Sequence, residues 1–181
     1  MKKQDKGFTL VEILVTLSII SIMAVIVLPQ YRTGQKSYTL QRLSHKVAQD
    51  VRRTQEMTMS ARPEIGVPNY FNYGVQFGKG NNSYSIFIDK NNSGDYQPSD
   101  FLLEEVNLEE NSIINKVFVT EEGKPEKEVN KLSIVFIPPD PSVMIESNDA
   151  SVDADRGRVE LILGDKTRNI FFNEAGLIYA E

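Results

Sequence analysis

Polar and apolar positions divide the chain into stretches with different periods. Between Phe8 and Leu28, 21 residues are interrupted only by Thr9, Glu12, Thr16, Ser18 and Ser21. That is close to the roughly 20 residues that cross a bilayer as a helix. From Pro29 to Arg62 the sequence stays helix-compatible, and Leu40, Leu43, Val47 and Val51 recur at spacings of three and four. Such spacing makes one apolar face of an amphipathic helix. Pro63 ends the stretch, and Pro29 is expected to kink the helix or break its hydrogen bonding locally. The opposite side carries Arg42, Lys46, Arg52, Arg53 and Glu56, which reads as a solvated helix face.

Beyond Pro63 the pattern changes to short β-like runs between Gly, Asn, Pro and Asp clusters. The predicted strands are Tyr73–Phe77, Tyr84–Asp89, Phe101–Asn107, Ile113–Thr120, Lys131–Ile137, Val143–Glu146, Arg158–Leu163, Asn169–Asn173 and Leu177–Tyr179. Ser83 to Asp89 and Arg158 to Leu163 alternate polar and apolar, as half-buried antiparallel strands do. Segments 120–130 and 147–157 are charged and poor in bulky apolar residues, so exposed loops are expected there. The predicted class is α+β: a long N-terminal helix, apolar in its first half and amphipathic in its second, packed on an antiparallel β-sheet head.

Charge sharpens this division. The net charge of -5 splits into +6 over residues 1–62 and -11 over residues 63–181. An acidic head is poorly suited to gripping nucleic acid through phosphate contacts. The chain has no cysteine, and His45 is its sole histidine, which removes thiol nucleophiles, disulfides, Cys/His zinc sites and histidine acid–base chemistry. Glu104-Glu105 and Glu109-Glu110 are paired in sequence only, because neighbours on a strand point to opposite faces. No catalytic site is expected.

Lys2, Lys3 and Lys6 precede the apolar run, so the positive-inside rule keeps the N-terminus in the cytoplasm and sends the bulk of the chain outward. A secretory signal would have an apolar stretch of about 7–15 residues and a small-residue cleavage site, and Leu28-Pro29-Gln30 is no such site. Glu12 is the anomaly. An acid near the middle of a span costs about 2.5–3.5 kcal/mol and calls for a partner.

Gly7 followed by Phe8-Thr9-Leu10-Val11-Glu12 and an apolar helix resembles the class III signal of type IV pilins and type II secretion pseudopilins. The resemblance implies that Lys6 and Gly7 precede a cut made by a membrane-bound prepilin peptidase, and that Phe8 becomes an N-methylated terminus. Glu12 falls at the family's acidic position and Pro29 at its helix-bending proline, both tied to assembly. The amine freed at Phe8, in the same chain or in a neighbouring subunit, would then pair with Glu12. The implied layout is a leader 1–7, a transmembrane helix 8–29, an amphipathic stem 30–62 and a globular β-rich head 63–181. The implied partners are other pilin or pseudopilin subunits and an inner-membrane assembly platform. Nucleic acid is not among them. The implied location is the cytoplasmic (inner) membrane, single-pass with the head outside, and then a filament. The basic stem would meet acidic surfaces of adjacent subunits there. The implied function is a structural subunit of a type II secretion pseudopilus or type IV pilus-like filament. A tip module recognising DNA, a surface or a secreted substrate is the alternative. The tail GRVELILGDKTRNIFFNEAGLIYAE is similar to the end of minor subunits of the GspH/FimT type.

One further stretch has metal-ligand spacing. In DKNNSGDYQPSD, oxygen-bearing side chains fall at positions one, three and five (Asp89, Asn91, Ser93), glycine at six (Gly94) and a carboxylate at twelve (Asp100). The Asp95 carbonyl could add a ligand, and Tyr96 and Phe101-Leu102-Leu103 could pack inward. The spacing is that of an EF-hand-like calcium loop with Asp in place of the closing Glu. Asn, Asp, Ser and Gly also populate plain turns, so a polar hairpin connection is the alternative. No cofactor is required on either reading, and calcium is the one that the spacing suggests.

Overall fold

The apolar stripe at Leu40, Leu43, Val47 and Val51 is buried, none of the four more than 3% exposed, while Arg42, Lys46, Arg52, Arg53 and Glu56 stay exposed. The three-and-four spacing thus buries the face it predicts, and the helix is held by packing more than by propensity. In a computed structural model this helix, α1, runs from Leu10 to Met59. The structure describes residues 7–60, 72–109, 111–138, 142–148 and 154–181, with only the backbone at 28–30 and 32–33. Helical backbone continues through Pro29, the position of the expected kink or local loss of hydrogen bonding. The expected helix end at Arg62 and the stop at Pro63 lie outside the described residues, as do Lys6 and Glu110.

Two units make up the chain, Met1–Tyr38 and Thr39–Glu181. In the first, the window Leu10–Val27 has a mean hydropathy of 2.7 and none of it is buried. The charges and hydroxyls on it are few, and Thr16, Ser18 and Ser21 turn their hydroxyls back onto the carbonyls of Ile13, Leu14 and Leu17. Returning a hydroxyl to the helix's own backbone satisfies it without water, as an apolar medium demands.

In the second unit, residues 39–59 of α1 pack with two antiparallel five-stranded sheets. Sheet A has the order β3 (Phe101–Asn107), β2 (Ser83–Ile88), β1 (Tyr73–Gly78), β6 (Lys131–Ile137), β7 (Ser142–Ser147). Sheet B has the order β10 (Ile178–Ala180), β9 (Lys166–Asn173), β8 (Arg156–Leu163), β4 (Ile113–Thr120), β5 (Lys127–Val129). One core joins the helix stripe to Val75, Phe77, Ile86, Ile134 and Phe136 of sheet A and Val117, Val159, Leu161, Ile170 and Phe172 of sheet B.

The helix also bridges the two sheets by polar contacts. Arg53 pairs with Glu104 of β3 at 3.4 Å and Arg42 with Glu109 just beyond it, while Arg52 donates to the Ile178 carbonyl of β10. Two arginines of the basic face thus meet carboxylates of their own chain while staying exposed. Tyr84 of β2 donates its hydroxyl to Asp50 of α1. Burial, reinforced by the Asp50 carboxylate, pushes the Tyr84 phenol well above its usual range, so it stays protonated and keeps donating.

The predicted bounds of β3, β4 and β6 match those observed, and the other predicted strands differ by one to three residues at their ends. Segment 120–130 corrects the reading. Lys127–Val129 forms a strand there, paired with Val117–Val119 and carrying one buried side chain, Val129. Its pattern is too short and too charged to announce itself, and the β4 edge supplies the pairing. The loop predicted over 147–157 likewise yields its last two residues, Arg156 and Gly157, to β8.

Candidate functional site

The N-terminal site is built on the first turn of α1. Gly7 and Phe8 are exposed and precede the helix, which leaves the Gly7–Phe8 bond accessible. A Cβ placed on Gly7 would meet nothing within 4 Å. Thr9 is the N-cap. Its Oγ1 accepts from the Glu12 N–H at 3.2 Å, and the Glu12 carboxylate accepts from the Thr9 N–H at 3.0 Å. A third bond runs from the Thr9 hydroxyl to the same carboxylate oxygen, also at 3.0 Å.

This is a reciprocal capping box, in which two orphan N–H groups of the helix start are satisfied at once. An acid in the first turn also suits the positive end of the helix dipole. The Thr-x-x-Glu spacing at Thr9 and Glu12 is the sequence signal for this box. It changes the account of Glu12, whose carboxylate has a partner in the uncut chain and does not wait for a freed amine to acquire one.

The second candidate, Asp89–Asp100, is brought together as a compact loop. Asp89 is 2% exposed, and its Oδ1 accepts from the N–H groups of Asn91 and Ser93, both at 3.2 Å. Its Oδ2 accepts from Gly94 N–H at 2.9 Å. Asp100 accepts from Lys90 N–H at 3.1 Å and Gln97 N–H at 2.8 Å. Asn91 Oδ1 takes the Ser93 N–H, the Ser93 hydroxyl donates to the Asp95 carbonyl, and Asp95 accepts from the Gln97 amide. Each side chain placed by metal-ligand spacing is thus bonded within the loop. Among the described residues no three His, Asp or Glu side chains gather as a metal site.

The loop's packing gives it a task. Phe87, Val135 and Gly74 face away from the main core on the outer side of sheet A, where Phe87 and Val135 are at most 1% exposed. Tyr96 covers Phe87 with ring centroids 5.3 Å apart. A Cβ on Gly94, whose φ is +79°, would strike Met144 and Glu146 of β7 at 2.5 Å. Gly94 therefore meets two demands at once, the left-handed turn and the close approach to β7. Tyr96 packs on Phe87 outside the main core, where packing into the core was expected, and of the residues after the loop Leu103 packs against that core while Leu102 is 47% exposed.

The sequence doublet Glu104-Glu105 divides as strand geometry requires, with Glu104 on Arg53 and Glu105 accepting from the Ser83 hydroxyl.

Residues 2–28 match the family model described as the prokaryotic N-terminal methylation motif. No curated protein and no solved structure matches the chain. The match covers the leader and the apolar run, and it supports a prepilin-type reading of the N-terminus. An apolar helix able to anchor in a membrane accompanies it at Leu10–Val27.

Proposed function

We propose that the chain is a minor pilin or pseudopilin of the GspH/FimT type, cut between Gly7 and Phe8, methylated at Phe8 and assembled through α1 into a type II secretion pseudopilus or type IV pilus-like filament. The match of residues 2–28 to the methylation motif carries this reading. The mature chain isolated from membranes should begin at an N-methylated Phe8, which intact-mass and N-terminal fragment spectra read directly. A mature chain beginning anywhere else would sink it.

Glu12→Gln separates two roles of the carboxylate. Glutamine also serves at the third position of a capping box, so α1 keeps its start. The charge that would face an amine is lost. The expected result is normal cleavage and an assembly yield reduced about tenfold, the worth of one charge pair of about 1.4 kcal/mol in a partly buried setting. Assembly equal to the wild type would confine Glu12 to helix capping.

We further propose that the Asp89–Asp100 loop acts as a cover closed by its own hydrogen bonds. The full chain in detergent should show the same melting temperature in millimolar calcium as in EDTA. A rise in calcium would restore the metal reading of Asp89, Asn91, Ser93, Asp95 and Asp100.

A further inference from the structure

The apolar run of α1 stops abruptly. Leu10–Val27 is apolar and unburied, whereas Gln30 to Tyr38 reads Gln-Tyr-Arg-Thr-Gly-Gln-Lys-Ser-Tyr and contains no Ala, Val, Leu, Ile, Met or Phe. Its two tyrosines, Tyr31 and Tyr38, are 70% and 69% exposed. They stand seven residues apart, close to two helical turns, and so lie on one side of α1. Alike in chemistry, direction and exposure, the two rings differ in their distance from the end of the run.

At a rise of 1.5 Å per residue, Tyr31 stands about 6 Å past Val27 and Tyr38 about 16 Å past it. The hydrocarbon core of a bilayer is about 30 Å thick and the polar layers bring the total to about 40–45 Å, so each headgroup layer is about 5–8 Å deep. A span that ends at Val27 therefore puts Tyr31 inside that layer and Tyr38 beyond it. Side chains on a helix lean toward its N-terminus, here the membrane end, which brings the Tyr31 ring nearer the acyl chains. Tyrosine suits the place, having an apolar ring and a hydroxyl that needs a polar partner. Charge agrees with depth. Between Glu12 and Asp50 the chain has no acidic residue, and Arg32 and Lys36 are the first cations after the run. Cations at that position complement the phosphates of the lipid surface.

We propose that Tyr31 is seated in the lipid headgroup layer, its hydroxyl on phospholipid phosphates and Arg32 and Lys36 drawn to the same anionic groups, while Tyr38 stands in water, all of which rests on Leu10–Val27 being a membrane span. The turn from Tyr31 to Lys36 is then a binding site for membrane lipid phosphate, and it sets how deep α1 sits.

Because the chain has no tryptophan, a single tryptophan reports its own depth. Full-length chains carrying Tyr31→Trp, Tyr38→Trp or Ile20→Trp are placed in vesicles of phosphatidylcholine with phosphatidylglycerol. Acrylamide in the water should quench the Tyr31→Trp chain about threefold less than the Tyr38→Trp chain, since only the first holds its indole at the membrane interface. Lipids brominated near the headgroup should quench the Tyr31→Trp chain and leave the Tyr38→Trp chain unchanged. Adding Arg32→Gln and Lys36→Gln to the Tyr31→Trp chain should raise its acrylamide quenching about twofold, as the attraction to the anionic surface is lost. Equal acrylamide quenching at positions 31 and 38, or a Tyr31→Trp signal that the loss of both cations does not move, overturns the lipid site. An Ile20→Trp chain open to acrylamide overturns the membrane span itself, so the two failures are separable.

Discussion

A chain carrying Gly7→Val remains at precursor length with its N-terminus uncut, its conversion slowed by at least about a hundredfold. The reasoning begins with what the substitution does not disturb. Gly7 is exposed, precedes α1, and has open space where a side chain would go. Valine there removes no contact of this chain and leaves the Thr9–Glu12 capping box in place. The melting temperature of the variant should therefore equal that of the wild type. Any block belongs to the enzyme that must close on the bond. Displacing a scissile bond by about 1 Å costs on the order of a hundredfold, and a branched residue next to the cut does at least that. Pulse-labelling followed by gel separation of precursor and mature forms measures the rate, and mature-size Gly7→Val protein ends the processing model.

The contrast between the two candidate sites shows what sequence can and cannot carry. The N-terminal signal is local: cut site, cap, acid and apolar run all lie within one helix and its leader, so adjacent letters contain the whole device. Strands β3, β4 and β6 were legible for a similar reason, each having enough apolar or alternating positions of its own. The division of the strands into two sheets was not, because β1 lies between β2 and β6, and β4 between β8 and β5. The β1–β6 and β4–β8 pairings join residues far apart in the chain. β5 failed for want of letters, since Lys127 and Glu128 say nothing and only Val129 is buried. The basic stem was read correctly as a face and incompletely as to partners, as Glu104 and Glu109 are brought to Arg53 and Arg42 by tertiary structure.

The Asp89–Asp100 loop was ambiguous for a chemical reason. A calcium loop and a nest of aspartate turns both need oxygens at alternate positions and a glycine at the reversal. The letters are shared, and what differs is whether the oxygens converge on an ion or on backbone N–H groups. Here the Asp89 oxygens accept from backbone N–H groups, and the outer hydrophobic layer of Phe87 and Val135 beneath Tyr96 is what the proposed cover would shield.

Asp89→Asn accordingly destabilises the protein by about 3 kcal/mol although it changes almost no volume. Both carboxylate oxygens of Asp89 act as acceptors, for Asn91 and Ser93 on one side and Gly94 on the other. An amide keeps one acceptor and turns an N–H donor toward the donor that lost its partner, whichever way it is placed. The cost combines a lost charge-assisted bond, worth about 1.5–3 kcal/mol, with a buried N–H left unsatisfied at about 1–3 kcal/mol. In a protein of this size the loss corresponds to a fall in melting temperature of about 6–12 °C. Tyr96→Ala should move in the same direction, since it uncovers Phe87 while leaving every loop oxygen in place. The two variants measured with and without EDTA separate the readings. If the loop is a cover, the Asp89→Asn deficit is the same in calcium and in EDTA. If it is a metal site, the deficit shrinks once the wild type has lost its ion. A wild-type-like melting curve for Asp89→Asn would show that the three N–H groups find other acceptors and that the loop is not what keeps the outer face of sheet A dry.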